Sequence, residues 1–270
     1  MPRISTIVIT FNEERNIARC LQSVETFSDE IIVLDSNSTD QTVEIARGLG
    51  ARVITNDWPG YGKQKQLALE HATHSWVFSI DADEEVSPEL GREIRSLDFS
   101  MDGYEMPRAV WYLNRWIKHG VWYPGYILRL FRRDKGSFTD DAVHEFVRVS
   151  GKVGRLHGDL LHYTYRDIHH HIEKMNDFTL IAAREMNEKG RRAGFRHIAV
   201  YPLLEFFKVY ISKRGFLDGL AGVVVSVFHA FYVCLKYAKL HELGLRSQSL
   251  DADHLHSTDK TDTGTGDDGQ

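Results

Sequence analysis

The first hundred residues alternate between short apolar runs and stretches whose apolar residues recur at helical spacing, which predicts a parallel sheet with helical crossovers. Ile4-Ser-Thr-Ile-Val-Ile-Thr10 is a β-branched strand that begins too close to Met1 to leave room for a signal peptide, and it runs into the polar Phe11-Asn-Glu-Glu14. A helix is predicted over about Glu14 to Val24, with Ile17, Leu21 and Val24 on one face. Ile31-Ile-Val-Leu-Asp35 is a continuous apolar run of the kind buried on both faces, and Ser36-Asn-Ser-Thr-Asp40 turns the chain into a second helix bearing Val43, Ile45, Ala46 and Leu49. A third strand follows at Arg52 to Thr55, a third helix at about Lys63 to His71, and a fourth strand at Trp76. Four strands with three intervening helices imply right-handed crossovers.

That fourth strand, Trp76-Val-Phe-Ser-Ile-Asp-Ala-Asp-Glu-Glu85, ends in two carboxylates one residue apart. Side chains at i and i+2 of an extended segment face the same way, so Asp81 and Asp83 are expected to reach one site at the strand's C-terminal end, beside the crevice where open α/β sheets bind ligands. Hard oxygen ligands there suit Mg²⁺ or Mn²⁺ bridging a diphosphate. Two acids after a strand are more often a solvated turn or a helix cap, so the pattern needs its neighbours to carry meaning. No Gly-x-Gly-x-x-Gly follows the first strand and no Gly-x-x-x-x-Gly-Lys-Ser/Thr occurs anywhere, so both common phosphate loops are absent from the strand ends.

Three ordered motifs at the strand ends, Val8-Ile-Thr-Phe-Asn-Glu13, Val33-Leu-Asp-Ser-Asn-Ser-Thr-Asp-Gln-Thr42 and Ser79-Ile-Asp-Ala-Asp83, resemble family 2 glycosyltransferases of the GT-A fold. Further on, Arg129-Leu-Phe-Arg-Arg133, Val143-His-Glu145 and Lys213-Arg-Gly-Phe-Leu-Asp-Gly219 are similar to the lipopolysaccharide core β-1,4-glucosyltransferase branch, and the resemblance covers about residues 1 to 245. It implies an α/β GT-A nucleotide-sugar-binding fold with a mostly parallel central sheet. It also implies that Thr10, Asn12 and Glu13 lie in the loop that receives base and ribose, and that Asp35 is the acid ending the second strand. Many relatives carry two consecutive acids there, and this chain has Ser36 in the second position. Asp81 and Asp83 match the Asp-x-Asp motif, in which the last acid ligates the metal and the first lies near the ribose or the metal's waters. A divalent ion suits such chemistry because a nucleoside diphosphate leaves as a multiply charged anion.

An inverting transfer needs a general base for the acceptor hydroxyl. Ser137-Phe-Thr-Asp-Asp-Ala-Val-His-Glu-Phe146 lies where the family places its base and offers Glu145, Asp141 and Asp140. Glu145 is favoured because Val143, Phe146 and Val147 supply an apolar setting that raises a carboxyl pKa. A surface carboxylate is the plain alternative for each of the three, and a lone histidine such as His144 is more often structural than a metal ligand. The aromatics Trp111, Tyr112, Trp116, Trp122, Tyr123 and Tyr126 suit sugar faces but more often form packing clusters. Arg129, Arg132 and Arg133 read similarly: Arg129 and Arg133 suit phosphates, though a basic strand end is usually solvated.

Composition adds an uneven charge. The net charge is −5, with acids outnumbering bases over residues 1–99 and the balance reversed over 100–215. The basic middle fits an anionic acceptor or a membrane surface, whereas the acidic whole and the lack of a binding motif argue against nucleic acid. Cys20 and Cys234 have no zinc spacing and read as buried thiols of a reducing compartment. His169-His170-His171 starts a long helix, Asp167 to Lys189, on which consecutive residues face different ways and cannot share one ion.

Phe216 to Leu240 is almost unbroken apolar sequence of near-spanning length, but Asp218 and His229 interrupt it and Lys236 and Lys239 end it. With Tyr201 to Arg214 it is expected to lie in a membrane interface, with a buried helix next in order and a true span last. The expected organisation is a catalytic domain over 1–165 (nucleotide half 1–99, acceptor half 100–165), a helical appendage over 166–245 and a disordered tail over 246–270. The expected activity is metal-dependent inverting transfer of a sugar, glucose first, from a nucleotide donor such as UDP-glucose to a heptose of a lipid-anchored lipopolysaccharide inner core, on the cytoplasmic face of the inner membrane. Transfer to a polyprenyl phosphate or another envelope glycan is the alternative among enzymes, and a sugar-nucleotide-binding or assembly protein the alternative outside them.

Overall fold

The computed structural model describes residues 1–139 and 146–258, with side chains described as far as Arg246. The chain divides into two compact units, Met1–Asp167 with Leu217–Gly222, and Ile168–Phe216 with the chain from Val223 onward.

The first unit opens with β1 (Ile4–Thr10), α1 (Ile17–Val24), β2 (Glu30–Asp35), α2 (Thr42–Gly48), β3 (Arg52–Thr55), α3 (Tyr61–His71) and β4 (Trp76–Asp81). These strands lie parallel in the order β3-β2-β1-β4. Period-two alternation sends their side chains to opposite faces. Ile4, Val8, Val33, Phe78 and Ile80 join Ile17, Leu21 and Val24 in one core, while Ile7, Ile9, Ile32, Leu34 and Val77 join Ala68 and Leu69 in the other. Both faces are thus covered, as a parallel sheet requires.

After β4 the sheet becomes mixed. β5 (Glu84–Val86), α4 (Pro88–Arg95), β6 (Gly103–Tyr112), β7 (Arg115–Ile117) and β8 (Gly125–Arg132) precede a small hairpin of β9 (Gly136–Phe138) and β10 (Val147–Val149). β11 (Val153–Arg155) and β12 (Leu160–His162) follow. β8 is antiparallel to both β4 and β6, and β12 lies between β6 and β5, so β5 returns beside the acids that end β4. Leu217–Gly222 is held in this unit by Asp218. Its buried carboxylate accepts from the backbone N–H of Lys118 at 3.2 Å and of His119 at 2.8 Å, and lies 3.0 Å from His119 Nδ1. The Asp218 that interrupts the apolar sequence is therefore an anchor of the sheet domain.

The second unit contains α5 (Ile168–Glu188), α6 (Tyr201–Phe207) between two π-helical turns (Arg196–Val200 and Lys208–Ser212), and α7 (Gly219–Thr258) from Val223 onward. Ala183, Ala193 and Leu240 form its small core with Met186, Tyr237 and Leu243. Lys239 Nζ donates to Asn176 O at 2.6 Å, Asn176 Oδ1 at 2.8 Å and Thr179 Oγ1 at 2.8 Å, tying α7 to α5. Of the histidine trio, His171 is buried edge-on against Phe228, while His169 is exposed and pairs with Glu173. Among the described residues, Gly215–Arg246 is the helical stretch long and apolar enough to cross a membrane by length and composition, and a third of its most apolar window is buried. α7 continues to Thr258, past the point where composition predicts a structureless tail, and residues 259–270 lie outside the described residues.

α1 starts three residues later than its pattern predicts, because the preceding residues have other work. Glu13 O accepts from the N–H groups of Asn16 and Ile17, while Glu14 N donates to Asp40 Oδ2 and Glu14 Oε2 accepts from Gln41 N.

Candidate active site

The C-terminal ends of β1 and β2 lie side by side, Thr10 opposite Asp35, with Ser36 N donating to Thr10 O at 2.9 Å. Asn12 and Asn37 then take left-handed backbone (φ 55° and 61°), which asparagine tolerates better than most residues. That geometry interlocks the two loops. Asn12 N donates to Ser38 Oγ at 2.9 Å, Thr39 N donates to Asn12 Oδ1 at 2.8 Å, and Glu13 N donates to Thr42 Oγ1 at 2.8 Å. Asp35 is 1% exposed, and its carboxylate accepts from Ser38 N at 2.9 Å and Ser38 Oγ at 2.5 Å. The carboxylate shapes the loop from within. Ser36 Oγ accepts from Gln64 Nε2 at 3.0 Å, and Gln64 Oε1 accepts from Asn56 Nδ2 at 2.9 Å, so a neutral relay fills the place of a second acid. Thr10 Oγ1 is buried and has no hydrogen-bond partner among the described residues, an uncommon state for a side-chain hydroxyl.

Asp81 faces a lysine and an arginine, and Asp83 faces a histidine. Extended backbone stops at Asp81 and the chain turns through Ala82 and Asp83 into β5, so the i, i+2 geometry of a strand does not reach Asp83. The Asp81 carboxylate lies 2.7 Å from Lys65 Nζ and 2.5 Å from Arg129 Nη2. Burial would raise its pKa, but the charges of Arg129 and Lys65 outweigh burial and hold it far below the usual carboxylate range. Asp83 Oδ2 instead lies 3.2 Å from His162 Nε2, and Asp83 O accepts from Tyr163 N at 2.9 Å. His162 Nδ1 is buried and has no hydrogen-bond partner among the described residues.

Beneath both acids lies Glu84, fully buried, with Arg129 Nη2 at 2.7 Å from each carboxylate oxygen and Arg108 Nη1 at 3.4 Å. Burial opposes the Arg129 charge, yet Asp81 and Glu84 raise its pKa above the ordinary arginine value. Burial first, and then the negative charges of Glu84, Asp81 and Asp83, push the neighbouring Cys20 thiol well above its usual pKa, leaving it an unreactive core group. Removing the arginine strands two carboxylates. Arg129→Met is expected to cost about 3–5 kcal/mol of unfolding free energy, the usual penalty for breaking one side of a buried ion pair, measured by urea denaturation.

The sequence leaves Arg129 and Arg133 between phosphate contact and solvent, and the structure gives the three arginines partners within the chain. Arg129 serves the buried carboxylates, Arg132 pairs with Asp134 at 2.7 Å, and Arg133 Nη1 donates to Ala72 O. Lys65, Glu84 and His162 were missed. Their partners are many residues away in sequence, and no local spacing marks them.

Asp140, Asp141, His144 and Glu145 lie outside the described residues, but the two ends of their segment are fixed. Thr139 N donates to Phe146 O and Phe146 N to Thr139 Oγ1, each at 3.1 Å, at the tip of the β9–β10 hairpin. Gln66 Oε1 of α3 accepts from Phe138 N at 3.1 Å. Three consecutive residues of α3 therefore reach three parts of the site: Gln64 the Ser36 loop, Lys65 the Asp81 carboxylate and Gln66 the hairpin.

The aromatic residues form two packed groups. Trp111 and Trp116 meet Tyr163, whose ring also lies under the Arg19 guanidinium, and Tyr112 meets Trp122 and Tyr165. Burial and a hydrogen bond to Glu85 push the Tyr163 hydroxyl up to about 12, so it is a donor and not a base near neutral pH. Tyr123 donates to Asp159, which also holds Lys118, and Tyr126 lies under Arg155.

Comparison with known proteins places this arrangement. The family model described as glycosyl transferase family 2 matches residues 5–150, which include the loops, both acids and the β9–β10 hairpin. The chain is similar to an uncharacterized glycosyltransferase of Rickettsia typhi, 35% identical over 93% of this chain and 90% of the relative. It is also similar to the lipopolysaccharide core biosynthesis glycosyltransferase LpsC of Rhizobium meliloti, 30% identical over 88% of this chain and 92% of the relative. Among solved structures it is similar to glucosyl-3-phosphoglycerate synthase from Mycobacterium tuberculosis in complex with Mn²⁺, uridine diphosphate and glucosyl-3-phosphoglycerate. That match is 27% identical with a TM-score of 0.34, over 40% of this chain and 44% of the other, which is too little to carry a structural argument. The chain is a glycosyltransferase of the GT-A fold and belongs to glycosyl transferase family 2.

Proposed function

We propose that the protein is a metal-dependent inverting glycosyltransferase that moves glucose from UDP-glucose to a heptose of a lipid-anchored lipopolysaccharide inner core. It works at the cytoplasmic face of the inner membrane as a peripheral enzyme. The acceptor class is supported by the near full-length similarity to LpsC. The donor class and the metal are supported by one observation above the rest: a carboxylate and an imidazole, Asp83 and His162, stand together at the C-terminal edge of the sheet beside the interlocked loops of β1 and β2.

Asp83 and His162 fit a divalent ion. The carboxylate oxygen suits Mg²⁺ or Mn²⁺, an imidazole nitrogen beside it favours Mn²⁺ over the harder Mg²⁺, and His162 Nδ1, without a partner among the described residues, leaves either ring tautomer open. Among the described residues no group of three such ligands occurs, so diphosphate oxygens and water would have to supply the rest of the ligands. The ion supplies neutralisation of the leaving diphosphate. Asp81 holds Lys65 and Arg129 in place beside it, Thr10 and the Asn12–Glu13 loop receive base and ribose, and Asp35 and Ser36 shape that loop from beneath. The base is drawn from Glu145 and Asp141 in the segment carried by the β9–β10 hairpin.

A thermal-shift and donor-hydrolysis panel tests the donor: UDP-glucose, UDP-galactose, UDP-GlcNAc, GDP-mannose and ADP-heptose, each with and without Mn²⁺. UDP-glucose alone should stabilise the protein and be hydrolysed, and only with metal. At a hundredfold excess over Kd the stabilisation is about 2.7 kcal/mol. Stabilisation by a different donor refutes the glucose assignment, and silence towards all five refutes turnover of the sugar nucleotides proposed.

A further inference from the structure

The helical stretch over 195–214 turns its apolar side outward. Phe195, Leu203, Leu204, Phe207 and Ile211 are between 54% and 79% exposed. From Leu203 onward they recur one, three and four residues apart, the spacing of one helix face. A helix lying on a soluble domain shows the reverse, with polar residues outward and apolar residues against the core. The inward side buries Val209 and packs the His197 and Tyr201 rings against Tyr237, with Glu205 3.4 Å from His229 Nε2. Single exposed apolar residues are ordinary, but five large ones on one stretch form a patch that marks an interaction surface.

Charge identifies what covers it. Between Gly190 and Phe216 the cations Arg191, Arg192, Arg196, Lys208, Lys213 and Arg214 stand against one acid, Glu205, and all six are exposed. A second copy of this chain would bring the same positive residues together and repel. An anionic bilayer satisfies both features at once, taking Leu and Phe into the headgroup–acyl boundary and Lys and Arg at the phosphates. The Glu205–His229 pair and the Lys239 bonds to α5 are polar contacts made behind this face, which suits a unit lying on a membrane and not one threaded through it.

We propose that 195–214 is a docking helix that lies in the interface of an anionic phospholipid membrane. Its use follows from the lipid-anchored acceptor proposed above, but the surface itself stands on exposure and charge alone. Flotation of the full chain with vesicles tests it, comparing phosphatidylcholine with mixtures in which about a third is phosphatidylglycerol. Binding to the anionic vesicles should be at least about tenfold tighter and should weaken in high salt. The double variant Leu204→Asp/Phe207→Asp should lose about tenfold or more of that binding with its melting temperature unchanged. Lys213→Glu/Arg214→Glu should lose the preference for anionic lipid.

A wild-type chain that stays away from both kinds of vesicle overturns the proposal, as does a double variant that floats like the wild type. A wild-type dimer that Leu204→Asp/Phe207→Asp converts to monomer, with neither form floating, assigns the face to a second copy and also overturns it. Metal-dependent donor hydrolysis measured on the same preparations separates the two readings. Retained hydrolysis without flotation sinks the docking helix alone, and flotation without hydrolysis sinks the enzyme assignment alone.

Discussion

Asp83→Ala is expected to abolish metal-dependent donor cleavage, lowering kcat/KM by roughly a thousandfold or more, about 4 kcal/mol of transition-state stabilisation. The expectation rests on the position of Asp83 beside an imidazole at the end of β4. Its carboxylate faces His162 at 3.2 Å, whereas Asp81 is held between Lys65 and Arg129. His162→Ala should weaken the response to Mn²⁺ less, on the order of 10–100-fold, with recovery at higher metal. Asp81→Asn should act differently, changing stability through Lys65 and Arg129 while leaving the midpoint of the Mn²⁺ titration near its wild-type value. The measurement is donor hydrolysis across a Mn²⁺ series for the three variants. Full Mn²⁺-dependent activity in Asp83→Ala would falsify the metal assignment and leave Asp83 and His162 as a structural ion pair.

The difference between the two acids shows where reading the chain succeeds and where it stops. Continuous runs such as Ile31 to Leu34, and helical spacing such as Ile17, Leu21 and Val24, are local patterns that burial on both faces of a parallel sheet imposes directly, and β1 to β4 follow them. The acids at the end of β4 are legible for the same reason. Their orientation is not, because it depends on the residue at which β4 stops pairing. The chain leaves the strand at Asp81 to bring β5 against β12, and this return pairs His162 with Glu84 in register and puts its ring 3.2 Å from Asp83. Lys65 lies in α3 and Arg129 in the middle of β8, with only a tertiary reason to face Asp81. The inverted face over 195–214 was partly visible as apolar sequence near lysines. Which side faces out is fixed by the pairing of Glu205 with His229, which no periodicity reveals.

Glu145→Gln is expected to leave donor binding within about twofold of wild type and to lower transfer by 10²–10⁴, the usual contribution of a general base. The substitution keeps size and hydrogen-bonding shape and removes only the ability to take the acceptor proton. The segment that carries Glu145 is closed at both ends by the Thr139–Phe146 hydrogen bonds, and its hairpin is tied to α3 through Gln66, so a neutral isostere is not expected to disturb the fold. Binding is read by thermal shift with UDP-glucose and Mn²⁺, and transfer by product formation on the acceptor. Loss of both would point to a structural role, because a base acts only once donor and acceptor are in place. The same pair of measurements on Asp141→Asn and Asp140→Asn decides among the three acids. If Asp141→Asn alone keeps binding and loses transfer, the base is Asp141. If all three keep transfer, the base lies outside the segment, and the direct consequence is that α3 positions the donor side of the reaction only.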